Sequence, residues 1–218
     1  MTIHQHYLPP EYVVAAERAG HLRPDGLPGW PAAPTPAPGV LLSLPSPGVH
    51  FGDDFRARIL ARRVNEYAAG LSSGFLASLP LPDVEGSLVE LDHAFGALRA
   101  DGVVLLTNAA GQYPGEPAWE PLWRSLNDRR ALVLLHPTSP PQWRQVALDR
   151  PRNLIEFGFE TARAVTDLTL TGILNRYPDI RFAVASGELL PALAARVEAA
   201  GGDVSAWQRF DPVDCCAR

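Results

Sequence analysis

The chain has 218 residues, 46% of them hydrophobic and 20% charged, which supplies ample apolar surface for one core and excludes global disorder. A formal net charge of −5 and a pI near 5.7, with basic residues spread along the sequence, exclude a phosphate-backbone binder, so no nucleic-acid partner is expected. All nineteen basic residues are Arg and none is Lys. That removes lysine Schiff-base chemistry and a carboxylated lysine bridging two metal ions.

The first strand-like segment carries His4, Gln5 and His6 and runs into Tyr7, Leu8, Pro9 and Pro10. Alternate residues of a strand share a face, so His4 and His6 present two imidazoles to one point, as a divalent metal requires of a strand end. A second reading stays open, in which the pair is solvated near the terminus or a cloning remnant. Residues 11–19 have helical character, and residues from about 23 to 50 form a Pro- and Gly-rich loop of the length expected for a lid or a linker. A helix follows over 55–71, with Ile59, Val64, Tyr67 and Leu71 on its apolar side and Arg56, Arg58, Arg62 and Glu66 on its wetter side.

From there the pattern repeats: strand 74–79, helix 84–98, strand 102–107, helix 119–128, and the apolar run 131–135 closed by His136 and the turn Pro137, Thr138, Ser139, Pro140, Pro141. One long helical segment spans 154–177, then strand 181–185 and helix 189–200. Short apolar strands between amphipathic helices imply a parallel sheet buried on both faces, which an open doubly wound sheet would also satisfy. A (β/α) barrel of the TIM type is preferred, because His6, Asn108 and His136 all stand at carboxyl ends of strands, the face where barrels assemble their sites. The whole chain, 1–218, is read as one such domain. Only five strands are legible in the sequence, short of the eight that close a barrel, so an incomplete barrel is expected.

The blocks HQHYLPPEYV, GVHFGDD, ARRVNEYAAGL, GFLASLPLPDVEGSL, DGVVLLTN, LLHPTSPP, LIEFGFETARAVTDLTLTGILNRYPDIRF and LPALAARVE together resemble the amidohydrolase-related family typified by 2-amino-3-carboxymuconate-6-semialdehyde decarboxylase. The resemblance runs in order from residue 1 to about residue 200. It implies a (β/α) barrel of the metal-dependent hydrolase type and one divalent ion, zinc or in some members manganese. It also implies His4, His6 and His136 as ligands. Neutral imidazoles suit zinc, and an open coordination position admits water or a substrate oxygen. The reaction implied is decarboxylation of a small unsaturated or aromatic carboxylic acid. Two other readings stay open: metal-dependent hydrolysis of an amide, ester or lactone, and a truncated, impaired descendant acting as a non-enzymatic scaffold.

Two departures bear on the last reading. The resemblance implies a His acid or base after strand 181–185, where this chain has Ser186, and a hydroxyl does not titrate near neutral pH. Glu188 is the nearby substitute, with an ordinary helix-start carboxylate as the competing reading. The family's late metal-binding Asp has no recognisable counterpart, and Asp203, Asp211 and Asp214 are read as tail residues. Asn108, Trp143, Arg144 and His50 are the candidate substrate contacts. Against three of them stands a plain alternative: a turn cap for Asn108, a solvated guanidinium for Arg144, an uninvolved loop position for His50. Glu156 faces the site or favours a helix start, and His21 and His93 are read as structural or surface residues. Adjacent Cys215 and Cys216, the absence of a signal-peptide pattern and the lack of any membrane-length apolar run point to the cytoplasm. Unpaired sheet edges and the resemblance together suggest a homodimer.

Overall fold

In a computed structural model, the alternation of short apolar runs and helices resolves into seven parallel strands that pair in sequence order. The structure describes residues 3–24, 29–30, 39–71 and 73–213. The strands are β1 (Ile3–His6), β2 (Val40–Ser43), β3 (Gly74–Ser78), β4 (Gly102–Leu106), β5 (Leu132–His136), β6 (Arg181–Ala185) and β7 (Asp211–Val213). They curl into a nearly closed barrel. Outside them lie α1 (Pro10–Arg18), α2 (Asp54–Ala69), α3 (Val84–Gly96), α4 (Glu120–Asp128), α5 (Trp143–Val146), α6 (Arg152–Leu170), α7 (Ile173–Arg176) and α8 (Leu190–Ala199). Among the described residues no helix is long and apolar enough to cross a membrane.

The period-two alternation of each strand divides the core into two layers. Leu76, Val104, Leu134, Ala183, Ala185 and Val213 form a small cluster inside the barrel. The intervening residues, among them Phe75, Val103, Leu105, Val133, Leu135 and Phe182, pack in the larger cluster with helix residues such as Val64, Leu91, Trp123 and Leu168. Asp53 and Asp83 cap α2 and α3, each accepting from a backbone N–H three residues on. Buried Asn65 of α2 then completes β3: its Oδ1 accepts from Ser78 N at 2.8 Å and its Nδ2 donates to Ser78 O at 2.9 Å and Glu90 Oε1 at 2.8 Å. The β2–β3 ladder ends at Phe75, so this amide substitutes for a neighbouring strand.

Three sequence expectations change. The proline-rich stretch from about 23 to 50 is not loop throughout, because Val40–Ser43 is β2, paired with β1 in the register His4 to Leu41 and His6 to Ser43. Its short apolar run is masked by flanking Pro and Gly. Strand β7 falls where only tail residues were expected, hidden by Pro212, which an edge strand paired on one side tolerates. The helical segment expected over 154–177 breaks after Leu170, since Gly172 takes φ +74° and restarts the chain as α7. Of the three late aspartates, Asp211 opens β7 and Asp203 accepts from Ser205 N; Asp214, Cys215 and Cys216 lie outside the described residues.

Candidate active site

Strand alternation turns His4 and His6 into the barrel, and β5 delivers His136 at its last position. The three rings gather at the carboxyl end, with centroids 5.0 Å apart for His4 and His6, 5.1 Å for His6 and His136, and 6.0 Å for His4 and His136. His136 is buried, and its Nδ1 lies 2.8 Å from the Pro137 carbonyl. A carbonyl only accepts, so Nδ1 carries a proton. The other ring nitrogen, Nε2, meets His6 Nε2 at 3.0 Å. His4 Nε2 is engaged by Ser43 Oγ at 2.6 Å, while His4 Nδ1 is buried with no hydrogen-bond partner.

Burial, reinforced by the neighbouring His136, brings His4 down to about 3 and holds His6 well below the ordinary histidine range. Both rings are therefore neutral at physiological pH, the state in which imidazole ligates a metal. The donor chemistry fits a borderline divalent ion, and the Pro137 carbonyl is the outer partner that metal-bound histidines ordinarily have. The arrangement is not a finished ligand set. Among the described residues no three His, Cys, Asp or Glu side chains stand ready around one ion, and His4 Nε2 is turned to Ser43.

A cavity of about 270 Å³ opens over the carboxyl ends of β2 to β5, and none of His4, His6 and His136 lines it. Leu106, which lines it, is in register with His136 on the adjacent strand, and parallel neighbours stand about 4.8 Å apart. Ser46 Oγ and Thr138 Oγ1, 2.5 Å apart, tie the loop after β2 to the turn after β5.

Asn108, His50 and Trp143 line this cavity. Asn108 is heavily committed: it donates to Glu160 Oε2 at 2.8 Å and Ser139 O at 3.3 Å, and accepts from Gly111 N at 3.1 Å. His50 donates through Nε2 to Asp54 Oδ1 at 2.8 Å and accepts at Nδ1 from Gly52 N at 3.2 Å. Arg144 is exposed and outside the cavity wall, with its guanidinium carbon 4.7 Å from the Trp143 ring centroid, and Arg152, from the first turn of α6, lines the cavity. His21, expected to be structural or at the surface, also lines the cavity and lies against Phe51. Ser186 follows β6, half-buried, with φ +55°. Glu188 is exposed in the turn before α8, and Glu156 is buried on α6 with no hydrogen-bond partner for Oε1.

Sequence reasoning overlooked Ser43, Ser139, Arg152 and Glu160. Glu160 is almost wholly buried and accepts from Asn108, from Tyr113 OH at 2.9 and 3.0 Å, and from Arg163 at 2.7 Å. Helical spacing pointed to it, since Glu156 and Glu160 sit four apart on the apolar side of α6.

A nearly closed parallel barrel with clustered imidazoles at its carboxyl end defines a barrel of the metal-dependent hydrolase class. The amidohydrolase family profile matches residues 1–216. The chain belongs to that family. It is 34% identical over 214 residues to the 6-methylsalicylic acid decarboxylase of Penicillium expansum, covering 89% of this chain and 66% of that protein. A solved structure described as amidohydrolase II superposes with a TM-score of 0.83 at 27% identity, over 96% of this chain and 76% of its own. The 5-carboxyvanillate decarboxylase of Novosphingobium aromaticivorans, solved with manganese and 4-hydroxy-3-methoxy-5-nitrobenzoic acid, gives a TM-score of 0.66 at 26% identity over 81% and 54%. The chain spans between 60% and 66% of the length of the curated relatives named first by similarity.

Proposed function

We propose that this barrel is a metal-dependent decarboxylase acting on a small aromatic carboxylic acid. The observation that carries the reading is the meeting of His6 and His136 at 3.0 Å at the barrel's carboxyl end, the end over which a ring-sized cavity opens. His6 and His136 would hold the ion, joined by His4 once it leaves Ser43. A bound divalent ion would polarise a substrate carboxylate or a carbonyl. Zinc is the ion that a set of imidazole ligands favours, and manganese is supported by the manganese-bound 5-carboxyvanillate decarboxylase.

The chain's own groups do the rest. The Pro137 carbonyl fixes the His136 tautomer, and Leu79, Leu106 and Ala109 exclude water from the ring. Trp143 offers an aromatic wall. Proton delivery is the weak element: Ser186 does not titrate in the useful range and Glu188 is solvated. That observation favours a second reading, a catalytically silent descendant that keeps the scaffold. We assign both forms to the cytoplasm and to a homodimer, the latter to be read by sedimentation.

The test is carbon dioxide release from a panel of hydroxybenzoic acids by purified chain loaded with zinc or with manganese. Release that disappears on chelation and returns with metal supports the decarboxylase. Metal uptake without release from any member of the panel leaves the silent scaffold.

A further inference from the structure

Strands β1 and β2 share an inward face. His4 is in register with Leu41 and His6 with Ser43, and Leu41 packs against the apolar cluster inside the barrel. Alternation therefore turns Ser43, two residues further on, inward as well. Ser43 is fully buried, and its carbonyl accepts from Tyr7 N at 3.1 Å, which fixes the strand end that carries it. His4 starts one layer lower and leans toward the carboxyl end, bringing its Nε2 to 2.6 Å from Ser43 Oγ.

That contact occupies the nitrogen. If the hydroxyl donates, the lone pair of Nε2 is taken; if the ring donates, Nε2 carries the proton. In neither case is Nε2 free to ligate. The other ring nitrogen, Nδ1, is buried with no hydrogen-bond partner, so the one satisfied nitrogen of His4 is the one that Ser43 holds. With this bond in place, the described His, Cys, Asp and Glu side chains make no group of three that could hold an ion, although His6 and His136 already meet at 3.0 Å.

We propose that Ser43 is a positioning residue for metal uptake, whose hydroxyl latches His4 out of the ligand set in the metal-free chain. Uptake of a divalent ion exchanges the hydrogen bond between His4 and Ser43 for a bond from His4 Nε2 to the ion. The ring stays neutral through the exchange, with its proton on Nδ1, and the Ser43 hydroxyl is released. A latch of this kind lowers the apparent affinity by the fraction of chains in which His4 is free. For one hydrogen bond that factor is about 2- to 12-fold. The inference rests on the metal-dependent reading above and is independent of which substrate is used.

Zinc titration of the purified full chain against a competing chelator tests it. Ser43→Ala is expected to tighten zinc binding by about 2- to 12-fold. The same variant should lower the urea midpoint of the metal-free chain more than that of the zinc-loaded chain, because only the metal-free state uses the bond. In a His4→Ala background the Ser43→Ala substitution should leave zinc affinity unchanged, since the ring that the hydroxyl restrains is gone. Equal or weaker zinc binding by Ser43→Ala, or the same gain in the His4→Ala background, overturns the latch. Zinc uptake by the native chain alongside either result leaves the metal-dependent reading standing. Failure of both the native and the Ser43→Ala chains to take up zinc refutes that reading and the latch together.

Discussion

His6 Nε2 lies 3.0 Å from His136 Nε2, although 130 residues of chain separate them. The contact sets two ring nitrogens side by side, held by β1, by β5 and by the Pro137 carbonyl. We expect the purified chain to take up about one zinc or manganese ion per molecule. His6→Ala or His136→Ala should weaken uptake by more than the roughly 10- to 100-fold that loss of an outer-shell partner costs. Elemental analysis after dialysis against graded chelator reads the outcome, and unaltered stoichiometry in both variants would refute the assignment.

Ser186 stands where the resemblance implies a titrating imidazole, in a left-handed conformation with φ +55°. His is among the residues enriched in that region, so Ser186→His is compatible with the backbone. If proton traffic limits turnover, the substitution should raise carbon dioxide release by roughly 10²- to 10⁴-fold, the range of general acid–base catalysis. Ser186→Gly is the control: relief of the left-handed strain should stabilise the fold by about 1 kcal/mol without raising the rate.

Glu160 gives stability a pH dependence of predictable sign. Burial is the dominant cause that raises its pKa above the ordinary carboxylate value, with a smaller contribution from Glu156 and opposition from Tyr113, Arg163 and Asn108. A carboxyl whose folded pKa is raised contributes stability that is complete below its unfolded pKa and is lost as pH rises through the folded one. Urea midpoints measured from about pH 4 to about pH 8 should therefore fall more steeply for the native chain than for Glu160→Gln. Parallel profiles would show that Arg163 and Tyr113 fully offset the burial.

Asn65→Ala removes three hydrogen bonds at once and leaves Ser78 N–H and C=O without their partner inside the wall between α2 and β3. Each orphaned buried group costs about 1–3 kcal/mol, so a loss of about 3 kcal/mol or more is expected by denaturant unfolding. Asn65→Asp should be comparably harmful, since a carboxylate cannot donate to Ser78 O. It would also oppose Glu90 at close range.

Much of this molecule is legible in its residues. The apolar runs that became β3, β4, β5 and β6 fill both layers of a parallel sheet, so their composition alone identifies them. The site was half legible. Two-residue spacing put His4 and His6 on one face, and the end of an apolar run placed His136 at a strand tip. Strands β2 and β7 escaped because proline beside or within a short run obscures the signal, while the pairing that stabilises them comes from β1 and β6.

What the sequence by itself determined is local: where strands and helices alternate, which side chains share a face, and which chemistries the absence of lysine removes. Whether His136 would reach His6, and which arginine would line the cavity beside Trp143, was decided only by the tertiary structure. Strand register, barrel curvature and the rotation of α6 are long-range quantities, set by how the two apolar layers pack against each other.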